Sequence, residues 1–315
     1  MSLPSFKDLP IDAKYPAKSA WGLWGDDDSL GTMNLLTTER AKEASKLVRT
    51  GKLFPMNWTM ENKYTMFNRG GFEHVIKELM PDCAFDDVYN NWNTQSSSQW
   101  DGLGHVCNRH TPGVFYNNTT AKDVRSGNEK LGIHHLARKG IAGRAVLLDF
   151  RRWAVKHGVE YDPLTRYEID IKDLDKVAEE QGVTFKEGDI LLIRSGFTEA
   201  YNNANDELKA SLAEVAAVCG VKPCDESLEW IWNHHFSTVA GDTVAFEAWP
   251  PTNGLDNAMH AILLGGWGMP IGELFNLEHL AEEAAKTGVY EFFFTSAPLN
   301  KMGGVASPPN AICIM

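Results

Sequence analysis

The sequence has few cysteines, no long hydrophobic run and no cluster of basic residues. Its five cysteines are an odd and scattered set, which is typical of reduced thiols in a cytoplasmic protein rather than of a disulfide framework. No apolar run approaches the roughly 20 residues that a transmembrane helix requires, and the best candidate, residues 261–271, is short and rich in glycine. The first residues also lack the apolar segment of a secretory signal. These absences predict a cytoplasmic protein with no membrane partner.

The charge of the chain argues against nucleic acid as a partner. A formal net charge of -12 repels a phosphate backbone, and no group of lysines and arginines is present to displace the counterions of that backbone. Hydrophobic residues make up 43% of the sequence, with 10 tryptophans and 15 phenylalanines, which is well outside the composition of a disordered chain. The composition therefore predicts a globular protein with a substantial core.

Local patterns predict a mixture of helices and strands in one layered α/β domain. Continuously apolar runs indicate strands buried on both faces, and apolar residues at helical spacing before a glycine indicate helices. The predicted helices are residues 38–51, 171–181 and 278–286, and the predicted strands are residues 145–150, 189–194 and 289–295. Residues 238–246 are predicted as a strand and a loop. No repeat or linker divides the chain, so we expect a single domain over residues 1–315 with an N-terminal extension of about 50 residues.

Two segments concentrate side chains that can carry chemistry. Residues 95–105 read Gln-Ser-Ser-Ser-Gln-Trp-Asp-Gly-Leu-Gly-His, so two amides, a carboxylate and an imidazole occur close together. An aspartate and a histidine four residues apart are common by chance, and such a pair alone favours a structural role. The second segment, residues 260–280, begins with a histidine before Ile-Leu-Leu and has a glutamate before Leu-Phe-Asn-Leu.

Together these segments resemble the metal-dependent cyclase/hydrolase family, which includes bacterial kynurenine formamidases and isatin hydrolases. The first is similar to the family signature His-x-Gly-Thr-His-x-Asp-x-Pro-x-His, and the second to a later motif that completes the metal site. Residues 188–196, 240–247 and 297–308 are similar to other family segments, so the resemblance extends from about residue 21 to the C-terminus. It implies a swivelling β/β/α fold.

The resemblance also implies a site for a divalent ion, with manganese, zinc or magnesium as candidates. Carried over residue by residue, Asp101, His260 and Glu273 are metal ligands and His105 is the general acid/base. In such a site the ion polarises a carbonyl and activates water, while the histidine transfers protons. These four residues are therefore expected to converge in one pocket.

Gln95 and Gln99 stand where the signature has its two metal-binding histidines. A glutamine carbonyl is a neutral, harder and weaker ligand than imidazole, so the change disfavours zinc and permits an oxygen-preferring ion such as manganese, magnesium or calcium. In the alternative interpretation no ion is bound, and the two amides hydrogen-bond the substrate directly.

Three classes of function are compatible with these residues. The favoured class is a hydrolase of a small cyclic or acyl amide or of a lactone, because the acid/base and carboxylate positions occur together. The alternatives are a metal-independent lyase, cyclase or isomerase in the same pocket, and a non-catalytic small-molecule binder.

Aromatic residues lead to two further expectations. Trp24, Trp100 and Trp267 lie near the matched motifs, so they are candidates for binding a flat aromatic substrate. A position in the core is an equal alternative for them, because tryptophan is often largely buried. Members of the family are commonly homodimers or homotetramers. Association of subunits would also bury the exposed aromatic residues of this chain. The resemblance therefore predicts a homodimer or homotetramer.

Overall fold

A mixed sheet of nine strands is the centre of the fold. The structure is a computed structural model that describes residues 3–127, 129–215, 217–252 and 258–315. The strands are β1 Leu53–Pro55, β2 Glu73–Met80, β3 Ala84–Asn90, β4 Gln99–Asp101, β5 Val114–Phe115, β6 Thr119–Thr120, β7 Ile141–Leu148, β8 Glu168–Ile169, β9 Ile190–Ile193, β10 Gly220–Val221, β11 Thr238–Gly241, β12 Ile271–Glu273, β13 Glu291–Ser296, β14 Ala306–Ser307 and β15 Ala311–Ile314. The helices are α1 Thr38–Ser45, α2 Ala121–Arg125, α3 His134–Lys139, α4 Phe150–Lys156, α5 Ile171–Gln181, α6 Phe197–Asn203, α7 Asp206–Val215, α8 Asp225–Asn233, α9 His260–Trp267 and α10 Glu278–Thr287.

The nine strands lie in the order β1-β15-β13-β7-β9-β11-β12-β4-β14. The central strands β7, β9, β11 and β12 run parallel to one another, and antiparallel strands flank them on both sides. Every residue of β9 and all but one residue of β7 are buried, as expected for strands covered on both faces. The mixed α/β class predicted from the sequence is confirmed.

Alternation along the central strands builds a hydrophobic core on each face of the sheet. Leu148 and Ile193 pack on one face against α5, α8 and α9, while Leu147 and Leu192 pack on the other face with α10 and β13. Because successive side chains of a strand point to opposite faces, one apolar run supplies both cores.

Two predicted helices show where local patterns are sufficient and where they are not. Helix α5 has the predicted bounds, and Gly182 ends it in the left-handed conformation with φ of 66°. Helix α1 ends at Ser45 instead of Gly51. The backbone amides of Thr50 and Gly51 donate to the carbonyl of Met315, so pairing with the end of the chain replaces the last predicted turns.

Residues 238–246 form a strand and then a loop, as predicted, and tertiary contacts set the boundary between them. Strand β11 stops at Gly241, and the carbonyl of Thr243 accepts from the amide of Leu274 beyond β12. The segment after β11 is therefore a loop, and it carries Glu247 towards the first turn of α9. Within α9, Gly265 permits close approach, because a Cβ atom there would lie 2.4 Å from the amide nitrogen of Asn108.

One hairpin stands apart from the main sheet. Strands β2 and β3 pair only with each other among the described strands, and every residue of β2 is exposed. Arg69 precedes the hairpin in the chain, and Gln95 follows it. Among the described residues, no helix combines the length and the apolar character needed to cross a bilayer.

Candidate active site

Pairing between β4 and β12 brings the two sequence motifs together. In this antiparallel pair Gln99 lies opposite Glu273, and Trp100 lies opposite Gly272. Side chains two residues apart share a face of a strand, so Gln99, Asp101 and Glu273 lie on the same side of the sheet. The side chain of Trp100 points to the opposite side.

His260 completes a buried cluster of ligand-type atoms at this position. One atom each from Asp101, His260 and Glu273 lies within 4.8 Å of the others, and all three residues are buried. The Nε2 atom of His260 is 2.9 Å from Oε1 of Glu273. Its Nδ1 atom is 2.7 Å from Oε2 of Glu247, a carboxylate that fixes the orientation of the imidazole ring.

The amide groups of both glutamines face the carboxylates. Nε2 of Gln95 donates to Oδ1 of Asp101 at 2.7 Å, and Nε2 of Gln99 donates to Glu273 and, at 3.3 Å, to Oδ1 of Asp101. Arg69 fixes the second amide, because its Nη1 atom donates to Oε1 of Gln99 at 3.1 Å. The two amides therefore act as hydrogen-bond donors to the cluster in this structure.

His105 lies at the edge of the same cluster. Its Nε2 atom is 3.6 Å from Oδ2 of Asp101 and 3.3 Å from Nε2 of Gln95. Its side chain retains 26% exposure, whereas that of Asp101 is fully buried. The imidazole is thus positioned between the buried carboxylate and the open cavity.

Burial and the neighbouring charges change the proton affinities of the site. Burial disfavours the charged imidazole of His260, but the carboxylates of Glu247, Asp101 and Glu273 outweigh it and raise the pKa of His260 well above its usual value. Burial, with a contribution from Asp101, raises the pKa of Glu273 to about 7. Burial lowers the pKa of His105, partly offset by Asp101, so its imidazole is neutral near pH 7.

The residues present fit a divalent cation. Oδ2 of Asp101 is buried and accepts no hydrogen bond, and Nε2 of His260 lies 3.7 Å from it. An unpartnered buried carboxylate oxygen beside a second carboxylate and an oriented imidazole is the donor set of a mixed oxygen and nitrogen metal site. Asp101, His260 and Glu273 would hold the ion, with Glu247 supporting His260 from behind.

The cluster forms one wall of a cavity of about 360 Å³. Asp101, His105, His260 and Glu273 all line it, so the expected convergence of these four residues in one pocket is confirmed. Most of the other lining residues are apolar, namely Phe67, Val106, Val244, Ala245, Trp249, Ala258 and Ala261. A mainly apolar chamber with a few convergent polar groups is typical of a small-molecule site.

The three tryptophans expected to bind substrate lie outside the lining of this cavity. Trp100 and Trp267 are fully buried in the two main cores, where their indole nitrogens donate to Ser296 and to the carbonyl of Lys18. Trp24 packs against the core on the side of α8 and α9. These positions correct the expectation, because strand alternation and helix packing direct the indoles away from the site. Trp249 provides the indole in the cavity.

The comparisons with known proteins identify the family. The family model named Cyclase matches residues 37–248, which is more than half of the chain. The chain belongs to the cyclase family. No curated protein sequence matches it. A crystal structure of a novel cyclase is 30% identical, with a TM-score of 0.84, and the match covers 94% of this chain and 99% of that chain.

More distant members of the same fold include isatin hydrolases. Isatin hydrolase A from Labrenzia aggregata, solved with benzyl benzoate, has a TM-score of 0.59 at 13% identity over 86% of this chain and 94% of that chain. The enzyme from Ralstonia solanacearum has a TM-score of 0.57 at 14% identity over 87% and 95%. At these identities the likeness shows the shared fold alone.

Two polar residues of the site were not singled out from the sequence. Glu247 lies in a segment that resembles the family, yet its contact with His260 depends on the loop after β11. Arg69 lies in no recognised motif and reaches the cavity from the base of the β2–β3 hairpin. The position of Glu247 in a segment similar to the family is a signal that could have identified it. Nothing in the local sequence distinguishes Arg69 from a surface arginine.

Proposed function

We propose that this member of the cyclase family is a hydrolase of a small cyclic or acyl amide or of a lactone, with water activated at a divalent-metal site. The observation that carries the proposal is the buried cluster of Asp101, His260 and Glu273, which has an unpartnered carboxylate oxygen beside His105. The cavity that contains it is lined mainly by apolar side chains, which suits a small organic substrate.

The roles of the residues follow from their positions. Asp101, His260 and Glu273 would hold the ion, and two carboxylates with one imidazole favour manganese or magnesium over zinc. A bound divalent ion supplies Lewis-acid polarisation of a carbonyl and an acidified water. His105 is neutral near pH 7, so it accepts the proton of the attacking water at Nε2 and returns it to the leaving group.

One observation favours a second candidate, a metal-independent lyase, cyclase or isomerase. The amide nitrogens of Gln95 and Gln99 already donate to Asp101 and Glu273, and such donors partly replace the charge compensation that an ion would supply. In that case His105 alone transfers protons in the same cavity. A non-catalytic binder would require neither the ion nor proton transfer by His105.

Metal analysis distinguishes these candidates. Protein purified without chelator, and then titrated with Mn²⁺, Mg²⁺ and Zn²⁺, is expected to bind a stoichiometric ion by elemental analysis and calorimetry. Asp101→Asn is expected to lose it, because the substitution removes the unpartnered carboxylate oxygen. Asp206→Asn, an exposed change on α7, is the matched control. A parent protein that binds none of the three ions would contradict the metal-dependent mechanism.

The β2–β3 hairpin supports a further proposal, that the chain forms a homodimer or homotetramer. Large apolar side chains project from it, including Ile76 with 64% exposure and Phe85 with 58%. Exposure of apolar side chains to water is unfavourable, and contact between the hairpin and a second copy of the chain would bury them. Hydrophobic surfaces of this kind are typical of interfaces between subunits.

Charged residues on the hairpin are therefore expected to dissociate the oligomer. Ile76→Lys combined with Phe85→Lys places two charges in the contact and is expected to yield monomers in sedimentation velocity at micromolar concentration. Val155→Lys is the matched control, because Val155 on α4 is also 64% exposed and lies far from the hairpin in sequence. A parent protein that sediments only as a monomer would overturn the proposal.

A further inference from the structure

Arg69 lines the cavity and has no role in the reaction described above. Its Nη1 atom donates to the backbone carbonyl of Gln95 at 2.7 Å and to Oε1 of Gln99 at 3.1 Å. Its guanidinium carbon also lies 5.1 Å from the ring centre of Phe67. These contacts fix the guanidinium at the boundary between the polar cluster and the apolar walls.

The opposite edge of this guanidinium makes no hydrogen bond to the described part of the chain. Within residues 3–127, 129–215, 217–252 and 258–315, neither Nε nor Nη2 of Arg69 donates a hydrogen bond. Arg194 shows what this edge binds in the same protein, since its Nε and Nη2 atoms donate to Glu278 at 3.1 Å and 2.6 Å. The Nε and Nη2 donors form a planar fork that matches the two oxygens of a carboxylate.

The walls beside Arg69 are suited to a flat apolar group. The rings of Phe67 and Trp249 meet edge to face, with centres 5.8 Å apart and planes at 89°. Val106, Val244 and Ala261 line the same cavity and add no polar group. A ligand that fills this space therefore combines an aromatic or aliphatic body with one anionic end.

We propose that Arg69 determines specificity by binding the carboxylate of the substrate, so that the substrate is an aromatic or apolar acid. Nε and Nη2 hold the carboxylate at one end, the body lies against Phe67 and Trp249, and the bond to be cleaved reaches His105. The inference deepens the proposed function and rests on it for the reaction. A divalent ion held by Asp101 and Glu273 would limit the repulsion between these carboxylates and the anion.

Binding of 2-naphthoate and of its neutral analogue 2-naphthamide tests the inference without turnover. Calorimetry on the full-length parent protein is expected to show 2-naphthoate binding about 10- to 100-fold more tightly, the ratio expected for one charge-assisted forked contact. Arg69→Gln is expected to remove this preference, and Arg69→Lys to retain only part of it, because lysine keeps the charge without the fork. Arg125→Gln, an exposed change on α2, is the matched control.

The ratio of the two affinities separates recognition from a structural role. If Arg69 only supports Gln99, Arg69→Gln weakens both ligands in parallel, and the inference is overturned. Equal affinity of the parent protein for the two ligands also overturns it. Neither result bears on the metal content or on His105, so failure here is distinct from failure of the proposed function.

Removal of metal identifies where the carboxylate binds. The structure assigns it to Arg69, so chelator-treated protein is expected to retain a preference for 2-naphthoate that Arg69→Gln removes. The preference for 2-naphthoate could instead disappear when the metal is removed and stay unchanged in Arg69→Gln. This result would show that the carboxylate binds the ion, as the product of hydrolysis would. That outcome would overturn the assignment to Arg69.

Discussion

His105→Asn is expected to reduce kcat by about 10² to 10⁴ while leaving substrate affinity nearly unchanged, the usual cost of losing a general acid/base. The imidazole is neutral near pH 7 because burial lowers its pKa, and its Nε2 atom lies beside Asp101 at the cavity. Steady-state kinetics on a hydrolysable amide or lactone would measure the effect. The acid limb of kcat/KM in the parent enzyme is expected below pH 6.5, the ordinary value for histidine.

A nearby histidine provides the control for this variant. His110 is exposed in the loop after β4, so His110→Asn should retain parental turnover. Both variants are expected to unfold at temperatures close to that of the parent, because neither change creates a buried cavity. Turnover of His105→Asn at the parental rate would show that His105 is not the proton-transfer group, and the proposed mechanism would be abandoned.

Glu247→Gln is expected to weaken binding of the divalent ion by about 10- to 100-fold, the range found when a partner of a metal-bound histidine is removed. The carboxylate of Glu247 accepts from Nδ1 of His260 at 2.7 Å, and it also accepts from the backbone amide of His260. Glutamine has the same shape but no charge and only one acceptor oxygen, so the imidazole becomes a poorer ligand and one of these two hydrogen bonds is lost. Calorimetric titration with Mn²⁺ would measure the change.

An exposed glutamate serves as the reference for this measurement. Glu160→Gln is expected to leave the affinity for Mn²⁺ at the parental value, because Glu160 lies on the surface after α4. An unchanged affinity in Glu247→Gln would mean that His260 does not bind the ion. The ion would then be held by ligands other than His260.

From the sequence, the residues of the site could be predicted better than the packing of the side chains around them. Asp101, His105, His260 and Glu273 were recognised through motif resemblance, and the structure brings all four into one cavity. Trp100 was expected to bind substrate because it lies near the matched motifs in sequence. In the strand it points the other way, and its ring contacts Phe275 and Phe294 in the core.

Arg69 and Glu247 mark the limit of motif reasoning. Arg69 precedes the β2–β3 hairpin and reaches the cavity only because the chain turns back to present Gln95 and Gln99 beside it. Glu247 contacts His260 only because β11 stops at Gly241 and the chain continues as a loop towards α9. Both positions depend on contacts between segments that local spacing does not encode.

The sequence by itself determined the mixed α/β class, the buried central strands, helix α5 and the residue types available for chemistry. These features depend on apolar periodicity, on glycine at a helix end and on the motifs, which can all be read directly from the sequence. Only the tertiary structure decided which side chains share the cavity, how the two amides are oriented, and which tryptophans are in the core. The register between β4 and β12 sets these outcomes, and a shift of one residue would exchange Trp100 with Gln99 and Asp101 between the two faces.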